Sequence, residues 1–221
     1  MPWWKRTRPA TQAVAADPAL RSFRLSLSGW SEQPLSDCKE EGRLWVDAEE
    51  NAISVGILSA HQITSRAATP GWSLHHWARF FARDSSGGLI EADHVDLPFG
   101  PGLRVIYKTL EEMAYMYYGM LIFPRNDVDI IITVVSKELG TTGVREAVVT
   151  KEVFDQGRLD AREYERSFAR DPYDPGYDGV DRSILRFISD DPIYDSRFPD
   201  HPLTKVRRLL VELPACISFD A

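Results

Sequence analysis

The chain has little cysteine, no long apolar run and no excess of basic charge, and each shortage closes a class of functions. Cys38 and Cys216, the two cysteines among 221 residues, stand far apart and in no CxxC or Cys/His spacing. That pattern supports neither a zinc site nor a disulfide framework, and it favours a reducing, cytoplasmic compartment. No metal and no cofactor are expected. The longest apolar runs, such as IIITVV at Ile130–Val135, have the length of strands. A membrane-crossing helix needs about 20 apolar residues, so no transmembrane segment is expected. Lys and Arg number 26 against 33 Asp and Glu, a formal charge of −7, and the basic residues are dispersed. Without a basic stripe to track phosphates, nucleic acid is not an expected partner. Motifs for nucleophilic catalysis are missing too: there is no GxSxG elbow, no P-loop, and no activating signature beside either cysteine.

What is present reads as strands, then helices. FRLSLSGW (Phe23–Trp30) alternates Phe23, Leu25 and Leu27 with polar residues, the period of a half-buried strand. RLWVDAEENAISVGIL (Arg43–Leu58) places apolar segments on both sides of a polar turn, as a hairpin does. In TPGWSLHHWARFFARD (Thr69–Asp84) the period changes. Leu74, Trp77, Ala78 and Phe81 form one helical stripe, and Thr69 before Pro70 offers a cap. Strand patterns return in GLIEADHVDL, LRVIYKTL, MAYMYYGMLIF and VDIIITVVS, the last two separated by the hairpin turn PRND. The segment Thr141–Gly157 suits a strand through Val148, Val149 and Val153, but Thr142 as a cap and Gly157 past the end favour a helix. Beyond it, helices are suggested at Ala161–Ala169, Asp181–Ser189 and Pro202–Leu213.

This order predicts an α+β fold, a mainly antiparallel sheet packed against helices with a C-terminal helical extension. The expected organisation is a flexible arm over 1–20, a core domain over 21–157, and an extension over 158–221 packed back on the core. The succession LSLSGW, LWVDAEENAISVGIL, WSLHHWARFFARD and YGMLIFPRNDVDIIITVVS resembles the PsbP-like α/β/α sandwich over residues 23 to 155. The resemblance lies in element order, carries no motif and transfers no functional residue. It implies a protein that binds partners rather than one that catalyses.

The densest chemistry lies in DDPIYDSRFPDHPLTKVRR (Asp190–Arg208). Asp191 before Pro192 ends one helix and Asp200 before HPLTKV caps the next, so turn and cap duties account for the acids. If Asp195, Asp200 and His201 converged, they could instead hold a metal or move a proton. His94 and Asp96 share a strand face and form a weaker pair of the same kind. In ELGTTGVRE, Thr141, Thr142, Gly143 and Arg145 offer an anion site, with helix amides and a guanidinium as donors. DPYDPGYDGVD (Asp171–Asp181) fails as a calcium loop: Gly176 and Leu185 fall where ligands are needed. Of the adjacent His75 and His76, which a helix points about 100° apart, His75 is expected in solvent and His76 packed. Tyr115 and Tyr117 face one side of their strand and Met116, Tyr118 and Met120 the other, so both sides are expected to be covered; a partner groove is the other reading. The functional expectation is a non-catalytic binding protein, with a protein partner, and a basic one, ahead of a small ligand. The alternative is a hydrolase or transferase of no recognised motif class using His94, Asp96, Asp195, Asp200 and His201.

Overall fold

The alternating apolar patterns become strands of one large sheet. The computed structural model describes residues 17–33, 42–59, 63–64, 73–158, 169–174, 176–177 and 180–220. A short helix α1 (Pro18–Ser22), capped by Asp17, leads into β1 (Phe23–Leu25). β2 (Ser31–Gln33), β3 (Arg43–Val46) and β4 (Ala52–Ser59) follow. The β3–β4 turn closes because the Asp47 carboxylate accepts the amides of Glu49 and Asn51. After helix α2 (Leu74–Asp84), β5 (Gly87–Leu97), β6 (Gly100–Glu111), β7 (Ala114–Arg125) and β8 (Val128–Lys137) run as an antiparallel meander. β8 also pairs with β4, giving the order β2-β3-β4-β8-β7-β6-β5. The antiparallel sheet packed with helices is the α+β architecture the sequence implies.

Helix α3 (Val144–Asp155) follows the sheet, so the ambiguous segment is helical, and Gly157 lies past its end with φ 67°. β9 (Ala169–Arg170) and β10 (Arg186–Phe187) form a small ladder. Helix α4 (Pro202–Cys216) ends in β11 (Ile217–Phe219), which pairs with β1.

Period-2 alternation puts a different core on each face of the sheet. On one, Leu74, Ala78 and Ala82 of α2 pack on Val105, Met116, Tyr118 and Met120. On the other, Leu203, Val206, Leu210 and Leu213 of α4 pack on Ile106, Tyr117, Leu121 and Ile132. Burying each such α4 side chain is worth about 1.5–3 kcal/mol relative to exposure. Both sides of β7 are therefore covered, which removes the partner-groove reading of its Tyr and Met residues. Helix α4 crosses β7 closely at Gly119, where a Cβ would lie 2.5 Å from Val206 Cγ1 and 2.7 Å from Leu210 Cδ1.

Several local expectations are corrected. The cap of α2 is Ser73, whose Oγ accepts the His76 amide; Thr69 and Pro70 lie outside the described residues. The two histidines exchange roles: His75 stacks on Tyr173 with ring centroids 3.6 Å apart, and His76 is exposed. Arg79 explains this, because its two-pronged pair with buried Asp171 draws the 171–174 turn over that side of α2. Asp181–Ser189 is not one helix. It breaks into a 3-10 turn at Arg182–Ile184, β10, and a second turn at Ile188–Asp190, since pairing with β9 and a buried anchor at Asp190 outweigh local helix preference. Of the helix suggested at 161–169, residues 161–168 lie outside the described residues, and Ala169 begins β9. Ala19 and Leu20, expected in a flexible arm, are buried in the core; residues 1–16 lie outside the described residues. Among the described residues, no helix is long and apolar enough to cross a membrane.

Candidate functional site

Three titratable side chains from three elements meet at the end of the sheet. Glu138 directly follows β8, Glu146 lies in the first turn of α3, and His201 caps α4. His201 Nε2 stands 3.5 Å from Glu138 Oε1 and 3.8 Å from Glu146 Oε1, and all three side chains are close to nine-tenths buried or more. These are ion-pair separations, and they leave Nε2 without a hydrogen bond. The other ring nitrogen, Nδ1, accepts the Leu203 amide at 3.2 Å. An imidazole that accepts at Nδ1 carries its proton at Nε2, so the hydrogen-bond network assigns that tautomer, with N–H facing the two glutamates.

Glu138 is the better satisfied carboxylate. It accepts the Gly143 amide at 3.1 Å and the Tyr115 amide at 3.4 Å. Burial alone would raise its pKa, but the proximity of His201 and these amides outweigh burial and hold it below the usual value. Gly143, at φ 73°, is the N-cap of α3 and has no side chain; Glu138 accepts its amide from outside the helix. Thr142 is not the cap, and the carboxylate found at this helix start belongs to the chain itself.

Glu146 is the opposite case. Neither of its oxygens makes a hydrogen bond to another residue, and the nearest polar neighbour given for Oε1 is His201 Nε2 at 3.8 Å. Burial, and then the neighbouring Asp190 charge, raise its pKa. Tyr117 closes the group from the sheet: its fully buried ring meets the His201 ring edge-on, with centroids 5.2 Å apart, and its hydroxyl is unpaired. Burial first, then the charges of Asp190 and Glu146, push the Tyr117 phenol well above its ordinary value.

Behind the cluster lies a buried ion pair. Lys108 Nζ donates to Asp190 Oδ2 at 2.7 Å, with neither side chain exposed, and the same oxygen accepts the Phe187 amide at 2.8 Å. Burial lowers the Lys108 pKa while Asp190 opposes it. Lys108 Nζ also sits 3.3 Å from the Phe187 ring centroid. Two arginines complete the layer. Arg145 donates to Asp195 at 2.8 Å, to Thr204 Oγ1, and to the Ser189 and Asp191 carbonyls. Arg207 bonds Asp195, Glu91 and the Asp190 carbonyl.

The sequence candidates therefore separate. His201 is in the cluster, but its partners are Glu138 and Glu146. Asp195 spends its Oδ1 on Arg145, Arg207 and Thr204, and exposed Asp200 lines the neighbouring cleft. His94 and Asp96 are exposed on β5, the edge strand; no hydrogen bond or ion pair among the described residues joins them to His201 or Asp195. Arg145 is committed inward, while Thr141 and Thr142 are exposed. The cleft, of about 410 Å³, is lined by Glu138, Leu139, Thr141, Val144, Asp200 and His201 among others, so it opens onto the glutamate–histidine group.

No protein-family model matches the chain, and no curated protein matches it. Solved structures do. The Ran-binding protein Mog1p of Saccharomyces cerevisiae aligns over 90% of both chains at 10% identity with a TM-score of 0.44. LpqN of Mycobacterium tuberculosis, involved in cell envelope biogenesis, aligns over 65% of this chain and 82% of its own, at 11% identity and a TM-score of 0.35. A chain from Bacteroides thetaiotaomicron aligns over 54% of this chain but only 40% of its own length, at 12% identity and a TM-score of 0.36. At this level of likeness neither family nor function passes from those proteins to this chain.

Sequence reasoning missed Glu138, Glu146, Tyr117, Lys108 and Asp190. One signal was available: Lys108 interrupts the apolar strand VIYKTL, and a lysine in a strand covered on both faces requires a buried acid.

Proposed function

We propose that this chain is a non-catalytic binding protein whose outer α3 surface docks a protein partner. The observation that carries it is the two-sided apolar character of α3. Val149 and Val153 are buried against the molecule, yet Val144, Val148 and Phe154 are 46%, 42% and 54% exposed. With exposed Ala147 these occupy positions i, i+3, i+4 and i+10 on the outer face, where they flank the exposed Lys151–Asp155 ion pair. Leu139, 62% exposed on the preceding loop, extends that set to the cleft mouth. Grouped exposed apolar residues mark interaction surfaces, whereas scattered ones need no explanation. The formal charge of −7 favours a basic partner by speeding encounter. The PsbP-like element order, whose members usually bind partners, supports the same reading.

The test compares partner capture by the wild-type chain and by the triple variant Val144→Ser, Val148→Ser, Phe154→Ser. A protein retained by the first and lost by the second, at equal thermal stability, supports docking here. Equal capture by both removes it. The second reading is a hydrolase or transferase, favoured by one observation: His201 with two buried glutamates opening to a cleft. Turnover of model ester or phosphate substrates that disappears in Glu146→Gln would promote it.

A further inference from the structure

The glutamate–histidine group is under-satisfied as it stands. Its two carboxylates share a buried space with His201, whose accepting Nδ1 makes the ring a neutral imidazole, and the nearby Lys108 is matched by Asp190. Both Glu146 oxygens, His201 Nε2 and the fully buried Tyr117 hydroxyl have no hydrogen-bond partner. Buried polar atoms are nearly always paired, so four orphans in one place indicate a missing occupant. Carboxylate oxygens and an imidazole nitrogen drawn together in this way are the donor set of a cation site.

We propose that Glu138, Glu146 and His201 form a binding site for a divalent first-row transition metal ion. The donor set suits such an ion, since imidazole and carboxylate together favour zinc and its neighbours over magnesium or calcium. Spacing agrees. Metal bonds of about 2.0–2.2 Å at tetrahedral angles place neighbouring ligand atoms about 3.3–3.6 Å apart. The separations from Nε2 are 3.5 and 3.8 Å, and the three ligand atoms all lie within 4.8 Å of one another. Glu138 and His201 line the cleft, which gives an ion its entry and leaves its remaining coordination position toward that opening.

The His201 tautomer makes the proposal specific. A metal at Nε2 needs the lone pair there, so the ring proton must move to Nδ1, the atom that accepts the Leu203 amide. Loading therefore releases the hydrogen bond that the Leu203 N–H donates to the cap of α4. It also lacks the acceptor at the second ring nitrogen that usually buttresses a metal-bound histidine, which weakens affinity by about 10–100-fold. None of the three ligands is among Val144, Val148 and Phe154, so loss of partner docking and loss of metal binding are read on different variants.

The experiment is calorimetric titration of the full chain with zinc chloride, repeated with cobalt chloride and read by visible absorbance. The expected result is one saturable site, weakened at least tenfold in Glu146→Gln. That variant breaks no hydrogen bond present in the apo protein and should fold normally. In ¹⁵N NMR spectra, zinc should shift the Leu203 amide and speed its exchange with solvent. If His201→Asn, which keeps a capping side chain at the start of α4, fails to fold, Glu146→Gln and the Leu203 amide still decide. No saturable binding, or binding of equal strength in Glu146→Gln, overturns the site. Zinc that binds without moving the Leu203 amide overturns it as well, because His201 would not then be a ligand.

Discussion

Replacing Lys108 by Met tests the electrostatic account of the interior most directly. The change keeps an unbranched apolar stem and deletes the ammonium, which sits over the Phe187 and Tyr115 rings. Asp190 then loses its cation in a place with no solvent exposure and keeps only the Phe187 amide on the same oxygen. Removing one partner of a buried pair strands the other, which costs about 3–5 kcal/mol. At this chain length each kcal/mol moves the melting temperature by about 2–4 °C, so a fall of about 6–20 °C is expected. The double variant Lys108→Met, Asp190→Asn removes the stranded charge while retaining an acceptor for the Phe187 amide. It should come back to within about 2 kcal/mol of the wild type, because the large loss reflects an uncompensated charge rather than the net worth of the pair. Urea unfolding followed by tryptophan fluorescence gives both differences, provided the slope is unchanged. A single variant within about 1 kcal/mol of wild type, or a double variant no better than the single, would refute the reasoning. The first result would mean that burial already leaves Lys108 uncharged.

Two further outcomes are expected. Gly119→Ala drives a methyl into Val206 and Leu210 and should cost about 1–3 kcal/mol, read in the same urea experiment; a neutral effect would show that α4 can lift from β7 freely. Stability should fall as pH rises above 10. Burial raises the phenols of Tyr107, Tyr115, Tyr117 and Tyr173, Tyr115 to about 12, so between pH 10 and 12 the unfolded chain releases protons that the folded chain keeps. An alkaline titration of phenolate absorbance should show these tyrosines ionising only with unfolding; smooth ionisation of all eight tyrosines near pH 10 would contradict the burial.

The fold was legible wherever neighbours in sequence are also neighbours in space. Met116 and Tyr117 announce by alternation that they face opposite cores, and Leu203, Val206 and Leu210 mark the buried side of α4 by helical spacing. The site was not legible in this way. Glu138, Glu146 and His201 obey no common period, because the loop after β8, the start of α3 and the start of α4 bring them together only in the finished fold. His201 was picked out, but its sequence neighbours Asp195 and Asp200 were the natural companions to name. Asp195 is instead held by Arg145 and Arg207, two long side chains whose reach the sequence does not reveal. Asp190 carried an equally misleading local reading. Set among turn-forming residues, it falls under the same turn and cap duties as its neighbours, and only the distant Lys108 makes it part of the interior.

The pairing of β1 with β11 sets an order of events during synthesis. Phe23 lies opposite Phe219, and both rings pack edge-on, so β1 waits for β11, which is synthesised long after it. The four-strand meander can form by zipping successive hairpins, a fast route built on local contacts. β1, with Phe23 waiting to enter the core, stays uncovered throughout that time. A nascent chain stalled before residue 217 would therefore display an unpaired apolar strand beside an otherwise complete sheet, the part of this molecule most in need of a chaperone.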